Sequence, residues 1–200
     1  MDKLFEILCY VAATLIAMDV FEFTKALVST MQGDTLPKAQ KRVTLNPFRH
    51  FEPIGFLLFI FCGFGWGKPV ETSKRMYKDM KTGELITYVS PMVVSLALVL
   101  LLKVVMGIVI VIFGTSGWVH YFNVFMTYLR QCMVILTLCN IVPIPPMCGS
   151  KIICCFLSPN GQVRYAQNER LYQTLFVFIM LLGIIRPIIV KLAQLILSII

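Results

Sequence analysis

The stretch LITYVSPMVVSLALVLLLKVVMGIVIVIF, Leu85 to Phe113, carries one charged residue, Lys103, in an otherwise apolar run. A run of this length without a charged face is long enough to cross a hydrocarbon core of about 30 Å as a helix. After the short turn Gly114-Thr115-Ser116-Gly117, Trp118 to Val142 is long enough to span back. It opens with Trp118, Tyr121 and Phe122, an aromatic cluster suited to a membrane interface. Working outward, Leu4–Met31 reads as another span, and Gly33 and Asp34 as its stop. PIGFLLFIFCGFGWG, Pro53 to Gly67, is too short to span and is bounded by Pro and Gly, which fits a re-entrant segment. Pro143, Pro145 and Pro146 break the third span. Residues 149–157 read as a short helix, and 158–170 as a polar loop with the turn signal Pro159-Asn160-Gly161. Residues 171–200 form either one kinked span or a hairpin, because Arg186-Pro187 interrupts them. The expectation is an all-α, polytopic membrane helix bundle in one domain, 1–200. Its segments are 4–31, 53–67, 85–113, 118–142, 149–157 and 171–200.

Composition agrees. In 200 residues, 58% are hydrophobic and 14% charged, with a mean hydropathy of +0.82. Soluble domains carry about 25% charged residues. The net charge of +8 lacks the basic helical stripe expected for nucleic-acid binding. It collects instead in the islands 33–52, 68–84 and 158–170. If 53–67 dips in and returns, all three share one face. The positive-inside rule then makes those loops cytoplasmic and the N-terminus external, in an integral membrane protein of a bacterial cytoplasmic membrane. Asp2, Glu6, Asp19 and Glu22 argue against a cleavable signal. The seven cysteines include Cys9, Cys62, Cys132 and Cys139 within apolar segments, where they read as small buried hydrophobes.

Charges inside the spans are costly, about 2.5–3.5 kcal/mol each at a helix centre, and so call for partners. Asp19, Glu22 and Lys25 lie in the first span, Lys103 in the second and Arg130 in the third. Glu22 and Lys25 share a helix face with Phe21. Pairing of Glu22 with Lys25, and of Asp19 with Lys103 or Arg130, is expected. The alternative for Lys25 is a stem that snorkels to the interface.

Three blocks carry a family resemblance. KRVTLNPFRHFEPIG (Lys41–Gly55) contains Asn46, Pro47, Pro53 and Gly55; GFGWGKPV (Gly63–Val70) contains Trp66, Lys68 and Pro69. NIVPIPPMCGS (Asn140–Ser150) contains Asn140, Pro143, Pro145, Pro146 and Gly149. In this order and spacing they resemble the site-2 protease family of intramembrane zinc metalloproteases, compact bacterial branch. Its corresponding patterns are G-R-x-T-L-N-P-x-x-H-x-D-P-x-G, F-G-W-A-K-P-V and N-x-x-P-x-P-P-x-D-G-S. The resemblance implies a helical core around a zinc site held by two His of an H-E-x-x-H and an Asp, with the Glu as general base. Here the H-E-x-x-H position reads Phe21-Glu22-Phe23-Thr24-Lys25, and the Asp position is Cys148. The family's G-P-x-x-N reads Ser90-Pro91-Met92-Val93-Val94. Glu22 alone is kept. Phe21, Lys25 and Cys148 mark degenerate ligand positions, and no metal or other cofactor is expected. The expectation is a catalytically inactive relative that lies in the lipid bilayer and binds or regulates another transmembrane protein or helix. The alternative is an active membrane metallopeptidase with a non-standard zinc site built from Glu22 and Cys148.

Overall fold

The computed structural model describes residues 2–115, 117–183 and 185–200. Among them no strand occurs, and the chain order is α1 (Asp2–Met31), α2 (Leu36–Ala39), α3 (Pro47–His50), α4 (Pro53–Cys62), a 3-10 turn (Lys74–Met76), α5 (Met80–Phe113), α6 (Gly117–Ile141), α7 (Cys148–Cys154), α8 (Pro159–Gln167), α9 (Glu169–Leu181) and α10 (Arg186–Ile199). Helices α1, α5 and α6 are long and apolar enough to cross a membrane, and α9 with α10 add a fourth span if that bent pair counts as one. The protein is therefore a polytopic helical membrane protein.

The three long helices pack on one another, and α10 lies against α6. Ala13, Ala17 and Phe21 stack at intervals of four along α1 and are buried. The two alanines let the backbones approach, as small residues do between membrane helices. They meet Cys132, Val134, Ile135, Leu136 and Cys139 of α6 and Tyr88, Met92 and Val99 of α5 in one core. The far half of α5 faces outward, with Leu101, Val104 and Val111 exposed. That surface suits acyl chains and would be an aggregation liability in water.

Several elements differ from the sequence expectation. Helix α5 starts at Met80, ahead of Leu85, because the Asp79 carboxylate caps it: the Lys81 and Thr82 N–H groups donate at 3.0 and 3.3 Å, and the Thr82 hydroxyl at 2.7 Å. The expected loop 158–170 is largely helix α8. Ser158 is its N-cap, accepting from the Gly161 N–H at 3.3 Å, and Pro159 starts it with a preset φ, so the turn signal served as a helix start. Residues 171–200 divide into two helices, with Gly183 at φ +72° between them. Part of the expected turn 114–117, Ser116, lies outside the described residues.

Segment 53–67 doubles back. Helix α4 runs from Pro53 to Cys62, and the chain then returns without regular structure. Gly55 and Gly65 meet so closely that a Cβ on Gly65 would stand 2.0 Å from the Gly55 carbonyl oxygen. Only glycine permits that contact.

Candidate functional site

The site lies in the C-terminal half of α1. Phe21, Glu22 and Lys25 are all buried there, at 1%, 4% and 2% exposure. The helical i,i+3 spacing sets Glu22 beside Lys25. Lys25 Nζ donates to Glu22 Oε1 at 2.8 Å and to Oε2 at 2.9 Å. The returning segment adds the Val70 N–H, which donates to Oε2 at 3.0 Å. The carboxylate thus accepts three charge-assisted or backbone bonds with water excluded. The ammonium lies 5.7 Å from the centre of the Phe21 ring and 5.8 Å from that of Tyr88, both favourable for a cation over a π-face. Lys25 is anchored in the core, so the snorkelling alternative does not describe it.

Helix α7 closes the site. Cys148 is buried beside Lys25. Its N–H donates to Asn140 Oδ1 at 3.2 Å, while Asn140 Nδ2 donates to the Leu136 carbonyl at 3.0 Å. Asn140 thereby ties the end of α6 to the start of α7 across the Pro143–Pro146 break. Gly149 allows the crossing, since a Cβ there would sit 2.3 Å from the Ile141 carbonyl oxygen. Trp66, Pro69, Pro145 and Pro146 join Phe176 of α9 around an adjoining apolar groove of about 490 Å³. Asn46 caps α3 through Oδ1, which accepts from the Phe48 N–H at 3.1 Å, and Pro47 and Pro53 start α3 and α4. Val94 lines a shallow apolar surface of α5 with Leu85, Ile86 and Val89.

The other charges are arranged differently from the expectation. Asp19 meets neither Lys103 nor Arg130. Its Oδ1 lies 3.7 Å from His50 Nε2, because the 41–55 block folds against α1 and brings His50 to it. Lys103 is exposed on α5, and Arg130 Nε donates to the Val99 carbonyl at 3.2 Å.

Arg42 and His50 belong to the site's support and were not singled out from the sequence. Arg42 is buried, and its guanidinium donates to the carbonyls of Arg49 and Lys68. Lys68 N–H in turn donates to the His50 carbonyl at 2.7 Å. His50 Nε2 donates to the Thr44 carbonyl at 2.9 Å. Burial holds its pKa below the ordinary histidine value, a direction that the Thr44 bond opposes and the Arg42 charge reinforces. Asp34 ties the loops to the end of α1, accepting from the Ser29 hydroxyl at 2.8 Å and the Ser73 N–H at 2.7 Å. The available signal was a polar residue inside each apolar or motif block, which must be satisfied once buried.

The residues at the positions that the resemblance assigns to zinc ligands do not fit the metal. Phe21 has no donor atom, Lys25 brings a cation already bonded to Glu22, and Cys148 stands alone as a thiol. Among the described residues, no group of three or more His, Cys, Asp or Glu side chains is placed to share a metal ion.

The chain is 29% identical over 167 residues to a Bacillus subtilis (strain 168) protein named "Putative zinc metalloprotease YwhC", a match covering 80% of this chain and 74% of the relative. This similarity supports a relation to a metalloprotease family. No family model and no solved structure matches the chain.

Proposed function

We propose that this chain is a non-peptidase relative of the site-2 proteases, with cytoplasmic basic loops, that works by binding another transmembrane protein or helix. The observation that carries the reading is the Lys25 ammonium 2.8 Å from Glu22 Oε1. A general base must be free to take a proton from water, whereas this carboxylate already accepts two bonds from the Lys25 ammonium and one from the Val70 N–H. The groove beside the site supports binding: its Trp66, Pro69, Pro145 and Pro146 walls offer apolar contact next to an irregular backbone segment.

The second reading is a membrane metallopeptidase with a rebuilt site. The named relative favours it over the first, since that protein's name says zinc metalloprotease. Glu22 and Cys148 are the side chains it would have to use, and Lys25 would have to leave them. Metal analysis of detergent-purified protein, with a cleavage assay on a transmembrane substrate, decides between the two. The expected result is no stoichiometric zinc and no cleavage. One zinc per chain, lost in Glu22→Gln or Cys148→Ser, establishes the second reading instead.

A further inference from the structure

Lys103 and Arg130, away from the ends of α5 and α6, have no carboxylate within salt-bridge distance among the described residues. The ion pairs among the described residues are Lys25–Glu22, Lys74–Glu84 and the His50–Asp19 approach, and neither Lys103 nor Arg130 takes part. Lys103 faces outward on α5 between the exposed Leu100, Leu101 and Val104. One turn on, Gly107 has nothing within 4 Å of where its Cβ would be. Behind this face Arg130 Nε bonds the Val99 carbonyl, one turn from Lys103, and Arg130 Nη2 is buried without a partner.

The depth of Lys103 follows from the end of the helix. The Phe113 and Trp118 rings pack edge to face at 5.1 Å, an aromatic pair of the kind that lies at headgroup level. Lys103 precedes Phe113 by ten residues, about 15 Å of helix. That is half of a core of about 30 Å, deeper than a four-carbon stem can escape. An ammonium facing acyl chains at mid-bilayer is costly, and such residues find a counter-charge. Gly107, at i+4 on the same face, leaves room for a second backbone to come close.

We propose that the face of α5 around Lys103 and Gly107 docks a transmembrane helix of another protein that carries an aspartate or glutamate at mid-bilayer depth. The proposal rests on the binding reading above and names the partner's chemistry. A second copy of this chain fits less well. Asp19 and Glu22 are buried in its own core, and the exposed Glu6 lies only about 6 Å into α1.

The test uses the full chain in lipid nanodiscs and synthetic leucine–alanine transmembrane peptides with one central Asp, Leu or Lys, with association read by energy transfer. The Asp peptide should bind at least tenfold more tightly than the Leu peptide. Lys103→Met should abolish that preference, Lys103→Arg should keep it, and Lys103→Asp should transfer it to the Lys peptide. Equal binding of the Asp and Leu peptides overturns the proposal, as does a preference that survives Lys103→Met. Dimerisation of the chain alone that depends on Lys103 assigns the face to a second copy and also overturns it. Zinc content and cleavage are read on the same preparations. A zinc-loaded peptidase that still prefers the Asp peptide would overturn the reading above and leave this surface intact.

Discussion

Glu22 and Lys25 are each other's solvent. Both are buried, and neither has water to fall back on, so removing one strands the other. Lys25→Met should cost about 3–5 kcal/mol, whereas Lys25→Met with Glu22→Gln should cost far less, because neither charge then has to be desolvated. A double-mutant cycle on thermal stability in detergent measures the coupling, and a value near zero would show that the pair contributes nothing. His50 makes a second prediction at this scale. It faces Asp19, Arg42 and the Thr44 carbonyl, and burial holds its folded pKa below the unfolded one. The unfolded state then binds the proton more readily, so the stabilisation is full above about pH 6.5 and declines as pH falls through that value. Tm should drop between pH 7 and pH 5 more in the wild type than in His50→Asn; equal slopes would exclude His50 as the cause.

At the level of elements, the returning segment after α4 supplies what α1 lacks. Its Val70 N–H completes the Glu22 carboxylate, and its position depends on the Gly55–Gly65 contact. Gly65→Ala forces a Cβ to within 2.0 Å of a backbone carbonyl oxygen and 2.8 Å of Phe59 Cβ, so the backbone itself must shift. A loss of about 3 kcal/mol or more is expected, at or above the upper end of ordinary overpacking. Gly107→Ala is the matched control: the site is open and helical, and the change should be neutral or stabilising by up to about 1 kcal/mol. Thermal unfolding of both variants checks the contrast. If Gly65→Ala behaves like Gly107→Ala, the doubled-back arrangement is wrong.

At the scale of the whole molecule, the doubled-back segment bears on topology. The return of the chain past Gly55 is what lets islands 33–52 and 68–84 lie on one side of a membrane. Lys41→Cys and Lys74→Cys, on a background without native cysteines, should therefore both label from the cytoplasmic side. Labelling from opposite sides would make Pro53–Gly67 a crossing segment and invert everything that follows it.

Much of the architecture was legible in the sequence, because a bilayer imposes a coarse rule: long apolar runs with Pro or Gly at their ends become spanning helices. The Glu22–Lys25 contact was legible too, since both residues lie on one helix and their separation is fixed by its geometry. The helix starts capped by Asp79 and Ser158 were missed: the apolar run reads as beginning at Leu85, and Pro159-Asn160-Gly161 reads as a turn. The partners of Asp19, Arg42 and His50 were not legible. They depend on how a loop folds back across α1, and no periodicity encodes a distance between residues tens of positions apart. The same holds for Lys103 and Arg130. Their depth came from the sequence, but only the packing of α5 against α6 decided that one is left exposed on the outer face of the bundle while the other bonds the Val99 carbonyl. Local spacing determines what a helix does with its own residues. Which face is left to the membrane, and which charge is left without a partner, is set by contacts that exist only once the chain has folded.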